Sequence, residues 1–296
     1  MDRVLALAGE TGAELVLAND PDADRLAAAV PVPGGSGYRM LGGNEVGVLL
    51  GDDAIEHAET GGRRKLVVTT IVSSTLLSRI ARDRGMGYRE TLTGFKWIAE
   101  AALRAEAEGE AFVFGYEEAL GYSVGPLVRD KDGIGAALRL AELARFLKAR
   151  GLTLLDRLDD LLVAHGLSHT IQWSLTLPGP EGRTRIRAAM DRLREDPPER
   201  LGPSPVVRIV DVAAGEERVR GKRRSLDLPR SDVLVFETAD GGRLLARPSG
   251  TEPKIKFYLE LAARPDGRAA VAEARARLER EGQALRRALM AELGLE

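Results

Sequence analysis

From Lys65 onward, short β-type runs alternate with helical periods, and this rhythm constrains the fold of the 296-residue chain more than any other feature. KLVVTT (65–70) is a strand pattern, 74–84 a helix, 87–91 a strand, 96–108 a helix, 111–116 a strand and 134–149 a helix. Such alternation predicts a mostly parallel sheet covered by helices. A further amphipathic helix, LTLLDRLDDLLVAHG, closes this α/β region. Upstream, MDRVLALAGETG reads as an amphipathic helix. Residues 14–30 read as two strands around an acidic turn, followed by a strand at 38–41 and a helix over 44–58 that stops before Gly61-Gly62. Downstream, 168–177 alternates like an exposed strand and a helix over 181–195 ends at Asp196-Pro197-Pro198. Strands near 205–211, 232–238, 243–247 and 255–262 precede a charged helix over 266–293. Strands followed by a helix suggest a separate small α+β domain. The length fits two or three domains, here drawn as 1–60, 61–166 and 167–296.

Composition removes several function classes. The net charge of −2 gives no reason to expect nucleic acid or an anionic membrane as partner. The absence of cysteine excludes disulfides, thiolate catalysis and Cys-ligated zinc, and fits a reducing, cytoplasmic setting. No apolar run approaches the length that spans a bilayer, and Gly9-Glu10 cuts the first apolar stretch too early for a signal peptide.

The segment NDPDADR places Asp20, Asp22 and Asp24 in one compact turn. Carboxylates about 4 Å apart at an effective dielectric near 20 repel by roughly 4 kcal/mol per pair, which a divalent cation relieves. Hard oxygen donors favour Mg2+ or Ca2+. An EF-hand is excluded: its sixth and twelfth positions would be Arg25 and Pro31, and strands flank the loop. A solvated Asp-rich turn is the competing reading, against which Arg25 argues by offering a place for an anionic phosphate.

Two further loops carry chemistry. In ARPSGTEPK, Arg247 can grip a phosphate through two parallel hydrogen bonds, Ser249 and Thr251 supply hydroxyls, Gly250 frees the backbone to form an anion nest, and Lys254 adds charge. The P-loop spacing is absent; a polar hairpin turn is the alternative. GYEEALGYSVGPLVRDKDG follows a strand and precedes a helix, at the sheet edge where open α/β folds bind ligands. Glu117 and Glu118 can accept hydrogen bonds from sugar hydroxyls, and Arg129, Asp130, Lys131 and Asp132 crowd opposite charges in a way that can tune a lysine. A salt-bridged loop opening a helix is the alternative there. His57, His165 and His169 show no metal spacing and no nucleophilic partner.

The order of the motifs D-x-D-x-D-R, GGNEVGVLL, TGFKW, GYEEALGY…VRDKDG and RPSGTEPK resembles the α-D-phosphohexomutase family of phosphoglucomutases, phosphomannomutases and phosphopentomutases over about residues 14–262. TGFKWIAE and GYEEALGY look most like the phosphoglucomutase/phosphopentomutase branch. The resemblance implies partial and complete α/β phosphohexomutase-type sheet domains followed by a small α+β C-terminal domain. It implies a magnesium-dependent isomerase of carbohydrate metabolism. Such an enzyme moves phosphoryl between sugar positions through a phosphoserine and a bisphosphate, with a glucose 1,6-bisphosphate-type activator. By it, Asp20, Asp22 and Asp24 bind Mg2+ with Arg25 close by, and Lys131 takes part in proton transfer. The resemblance also implies that Glu117 binds the sugar, that Asn44 and Glu45 lie on a loop beside the substrate, that Lys96 sits in a loop that approaches it, and that Arg247, Ser249, Gly250 and Thr251 form the phosphate clamp. Glu118 and Lys254 join the substrate-binding set on their own chemistry.

Two departures from the family pattern stand out. Ala119 occupies a position where many relatives carry serine, which affects hexose preference. No T-x-S-H-N-P-type motif occurs, and Ser73-Ser74-Thr75 and Ser123 lack its surroundings. The expectation is therefore a chain inactive alone, weakened in metal binding and left with an unpaired sheet edge that promotes association. It would need a missing N-terminal domain or a separate polypeptide. A non-catalytic sugar-phosphate sensor and a remnant of a broken gene are the alternatives.

Overall fold

A computed structural model describes residues 1–250 and 252–295. The chain forms two compact units, Met1–His165 and a second beginning at Gly166.

Unit 1 opens with α1 (Asp2–Thr11), β1 (Val16–Asn19), β2 (Leu26–Pro31) and β3 (Tyr38–Leu41). The strands form an antiparallel sheet in the order β1-β2-β3. The amphipathic period of α1 lays Ala8, Val4 and Leu5 on Val16 and Ala29, and the Tyr38 hydroxyl reaches the carbonyls of Ala8 and Ala13 at 2.8 and 2.7 Å. β1 is an edge strand, pairing only with β2 among the described residues.

Next come α2 (Gly43–His57), β4 (Lys65–Thr70), α3 (Leu76–Asp83), β5 (Gly87–Thr91), α4 (Phe95–Ala107), β6 (Ala111–Glu117), β7 (Gly121–Val124), α5 (Gly133–Lys148) and α6 (Leu154–His165). The sheet order is β5-β4-β6-β7, parallel except for β7. The loop expected over 115–133 thus contains a short antiparallel strand, too brief for its alternation to register as one. A register shift between the Leu66 and Val67 pairs sets Phe112 opposite Leu66 and Phe114 opposite Val67. Side chains alternate faces along a strand, so this bulge reverses the facing of everything after it. Phe112 packs with Leu66, Val68, Ile98 and Ala102 under α4, whereas Phe114 and Tyr116 turn to α2.

Helix α2 meets that face through glycines at four-residue spacing. A Cβ on Gly47 would stand 2.5 Å from the Tyr116 ring, and one on Gly51 2.7 Å from Leu77. Helix α2 is thereby bound to β6 of the four-stranded sheet. At its far end Asp52, 3 % exposed, is paired with Arg84 and Arg157, each at 2.5 Å.

Unit 2 consists of β8 (Leu167–Thr176), α7 (Gly179–Glu195), β9 (Arg200–Leu201), β10 (Ser204–Asp211), β11 (Glu216–Val219), β12 (Lys222–Ser225), β13 (Leu234–Thr238), β14 (Arg243–Pro248), β15 (Lys254–Ala263) and α8 (Arg268–Glu292). Its antiparallel sheet runs β12-β11-β10-β13-β14-β15-β8, with β9 paired to β10. The core sets Ile186 and Leu193 of α7 with Ile171, Trp173, Phe236 and Phe257 of the sheet, Trp173 stacking on Phe257 at 5.2 Å. The β11–β12 hairpin is absent from the sequence reading because its strands are nearly all charged. Arg220 and Gly221 form its two-residue turn, both with positive φ (47° and 79°), the geometry that matches strand twist. No helix among the described residues is long and apolar enough to cross a membrane.

Candidate functional site

The acidic turn joins β1 to β2. Asn19 Nδ2 donates to the Arg25 carbonyl at 2.7 Å, the Ala23 amide donates to the Asp20 carbonyl, and Ala23 itself adopts φ 58°. Both oxygens of Asp20 serve Arg25: Oδ1 accepts its backbone N–H at 3.0 Å and Oδ2 its Nε at 2.7 Å. That backbone hydrogen bond, with the guanidinium, holds the Asp20 carboxyl below the usual carboxylate range, and Asp20 in turn raises Arg25. Asp24 lies 3.7 Å from Arg25 Nε and 3.0 Å from Lys131 Nζ.

Two contacts deliver this turn to the loop after β6. Arg25 bridges Gly121 in antiparallel fashion and the Leu26 amide donates to the Leu120 carbonyl at 3.1 Å. Gly133, the first residue of α5, presses on the turn's backbone; a Cβ there would stand 2.6 Å from the Arg25 oxygen and 2.7 Å from that of Ala23. Asp132 caps α5, its Oδ1 accepting the Gly135 N–H at 2.8 Å. Lys131 is thereby fixed beside Asp24. Its stem passes over Gly121, where a Cβ would stand 2.7 Å from its Cδ, and its ammonium contacts Asp130 at 2.9 Å and lies 5.5 Å from the Phe95 ring centre. Partial burial disfavours the Lys131 charge, but the hydrogen bonds to Asp130 and Asp24 outweigh it and raise its pKa. The tuning is thus toward a retained proton.

The two glutamates part company. Glu117 Oε1 accepts the Gly94 N–H at 2.7 Å, placing its charge at the positive end of α4. Glu118 turns inward: its Oε2 is enclosed and its amide donates to Ser73 Oγ at 3.2 Å. Burial, then the Glu118 charge, pushes the Tyr122 hydroxyl far above its usual range. Asn44 and Glu45 brace the scaffold. Asn44 Oδ1 accepts from the Ser74 amide (2.8 Å) and the Tyr116 hydroxyl (3.2 Å). Glu45 Oε2 accepts the Gly42 N–H at 3.0 Å and Oε1 meets Arg39 at 2.5 Å. Lys96 is exposed, 4.9 Å over its neighbour Trp97.

The acidic turn, Lys131 and the Glu117 loop are therefore one cluster in unit 1. The three aspartates are not a converged ligand set: among the described residues no group of three or more acidic or histidine side chains has metal-holding geometry. Their donor chemistry nevertheless fits a hard divalent cation, because three carboxylates share one turn, although Arg25 and Lys131 occupy two of them here. Sequence reasoning weighed Ser73 and Ser74 only as a phosphoserine motif, not as braces of Asn44 and the Glu118 backbone, and missed Tyr116 together with the glycines that permit close approach. The signal for the latter was present in GNEVGVLLG, where Gly43, Gly47 and Gly51 recur every fourth residue.

In unit 2, Arg247 is the penultimate residue of β14 and Lys254 begins β15; both are half-buried, and among the described residues neither makes an ion pair. The Ser249 amide donates to the Lys254 carbonyl at 2.7 Å, and the Glu252 amide donates to Ser249 Oγ at 3.2 Å. Gly250 does not adopt positive φ and a Cβ on it would meet nothing, so this loop does not use the left-handed freedom expected of it. Thr251 lies outside the described residues.

Residues 42–163 match the family model for the alpha/beta/alpha domain III of phosphoglucomutase/phosphomannomutase, and 204–279 match that for its C-terminal domain. A Haemophilus influenzae protein named probable phosphomannomutase is 40% identical over 261 residues, covering 88% of this chain and 48% of its own length. Human phosphopentomutase is 38% identical over 274 residues (88% and 44%), and a Staphylococcus aureus phosphoglucomutase 35% over 262 residues (88% and 47%). The chain spans about half the length of the curated relatives it matches. Among solved structures, Paramecium parafusin, a phosphoglucomutase, aligns with TM-score 0.64 at 18% identity over 92% of this chain and 45% of its own. A phosphoglucomutase/phosphomannomutase family protein of Burkholderia thailandensis aligns at 0.56 and 20% (96% and 49%). Both likenesses bear on the fold.

Proposed function

Because the chain belongs to the phosphoglucomutase/phosphomannomutase family, matching its domain III and C-terminal domain, we propose that it supplies sugar and phosphate recognition to a phosphosugar mutase. That enzyme is an isomerase interconverting sugar 1-phosphates with 6- or 5-phosphates. The observation that carries this reading is the junction in unit 1 of the acidic turn with Lys131 and the Glu117 loop.

In this reading Asp20, Asp22 and Asp24 hold Mg2+, which when bound neutralises charge on a transferring phosphoryl group. Arg25 fixes the turn and faces the phosphate, Lys131 keeps a proton available beside it, and Glu117 accepts a sugar hydroxyl from a position pinned by Gly94. In unit 2, Arg247, Lys254 and the Ser249–Thr251 segment take a phosphate. The phosphorylated serine implied by the family has no matching motif in this sequence, so another segment or polypeptide supplies it, and the chain is inactive alone. The setting is cytoplasmic carbohydrate metabolism.

Calorimetry with glucose 1,6-bisphosphate and Mg2+ tests recognition: binding is expected, and Glu117→Ala and Arg247→Ala should each weaken it. Absence of binding overturns the proposal. A coupled assay with glucose 1-phosphate should show no turnover by the chain alone and turnover once a phosphoserine-bearing N-terminal half of a family member is added. Tight binding without such rescue favours a sugar-phosphate sensor, the reading that the missing serine motif supports.

A further inference from the structure

We infer that Lys131 is a displaceable counter-ion of the acidic turn, yielding Asp24 when the turn takes up a divalent cation, so that cation capture and release of the lysine head group are one event. This rests on the proposed reading of Asp20, Asp22 and Asp24 as cation ligands, and adds to it a coupling between metal and lysine.

The three carboxylates differ in what they would have to surrender. Asp20 is bound to the Arg25 backbone N–H as well as its side chain, so freeing it would unmake the turn. Asp22 makes no direct ion pair among the described residues. Asp24 is held by a side chain alone, Lys131 Nζ at 3.0 Å, with Arg25 Nε more distant at 3.7 Å. Asp24 is therefore the ligand whose recruitment requires an exchange, and Lys131 is what it exchanges.

Lys131 is built for that exchange. Its stem is confined against Gly121 and Phe95, while its head already touches a second carboxylate, Asp130, at 2.9 Å. Leaving Asp24 thus costs the ammonium one of two partners and no exit into an apolar space. The Lys131 and Asp24 side chains are 23 % and 32 % exposed, so water screens their attraction. Asp20, Asp24 and Asp130 contact Arg25 or Lys131, and Asp22 adds a fourth carboxylate without an ion pair to either among the described residues, so four negative charges stand against two positive ones, a formal excess equal to one divalent cation.

The test measures Mn2+ binding to the full chain by electron paramagnetic resonance, with circular dichroism confirming that each variant is folded. Lys131→Met and Lys131→Gln should bind Mn2+ roughly fivefold tighter than wild type, the factor an ion pair of this exposure represents. Lys148→Met, which removes a charge paired with Glu14 elsewhere, should leave affinity unchanged. In the wild-type chain with 13C-methylated lysines, the Lys131 resonance should move as Mg2+ is added. Binding that Asp24→Asn abolishes but both Lys131 variants leave unchanged or weaken, with a static Lys131 resonance, overturns the exchange and leaves the cation site standing. Absence of Mn2+ binding in wild type and variants overturns both.

Discussion

Gly43 and Glu118 approach so closely that a Cβ on the glycine would overlap the glutamate's carbonyl oxygen. The first turn of α2 thereby locks against the backbone of the loop that carries Glu117. Gly43→Ala must push these elements apart, at a cost of about 1–3 kcal/mol, and should speed amide exchange over 117–121. Gly9→Ala is the matched control. Gly9 is an exposed helical position where a Cβ meets nothing, so alanine should stabilise by roughly 0.5–1 kcal/mol. Urea denaturation of both variants checks the pair of signs.

Asp52 is buried between Arg84 and Arg157, and desolvation outweighs both arginines, so its carboxyl is raised above the ordinary range. Removing a partner is therefore worse than removing the charge. Arg157→Met should destabilise by on the order of 3 kcal/mol and Asp52→Asn by clearly less. The sign with pH follows: the folded state holds this proton more tightly than the unfolded chain, so Asp52 subtracts stability as pH rises through the window above the ordinary carboxylate pKa. Asp52→Asn should flatten that part of the stability–pH curve, measured by denaturation at stepped pH.

Asp240 behaves in the opposite sense. Burial works to raise its carboxyl, but contacts from the Ser204 and Thr238 hydroxyls and the Gly242 N–H outweigh it and lower the pKa. Its contribution is present above the unfolded value near 3.9 and is lost as pH falls through the lower, folded one. The thermal midpoint of wild type should exceed that of Asp240→Asn at pH 7, and the gap should close toward pH 2.

Glu117 carries a charge-assisted hydrogen bond at the start of α4. Glu117→Gln should cost about 1 kcal/mol through the weakened contact with Gly94, and should lower affinity for a sugar bisphosphate in calorimetry. Stability lost without any change in affinity would make Glu117 a cap alone.

Within the sequence lay the rhythm of elements and the order of the motifs. Apolar residues recurring every second or every third-to-fourth position report which local backbone can bury them, so β4, α3, β5, α4, β6, α5, α7, β10, β13, β14 and β15 were legible, as was the acidic turn. The charged β11–β12 hairpin buries too little to leave such a trace, and β7, though buried, is too short to show one. What tertiary structure alone decided is which remote groups meet. The bulge at Phe112–Phe114 turns Tyr116 toward Asn44, Gly43 draws Glu118 inward, and Gly133 seats α5 on the acidic turn so that Lys131 reaches Asp24. Those outcomes follow from steric fit between segments far apart in the chain, and periodicity is blind to such fit because it samples only neighbours along the sequence.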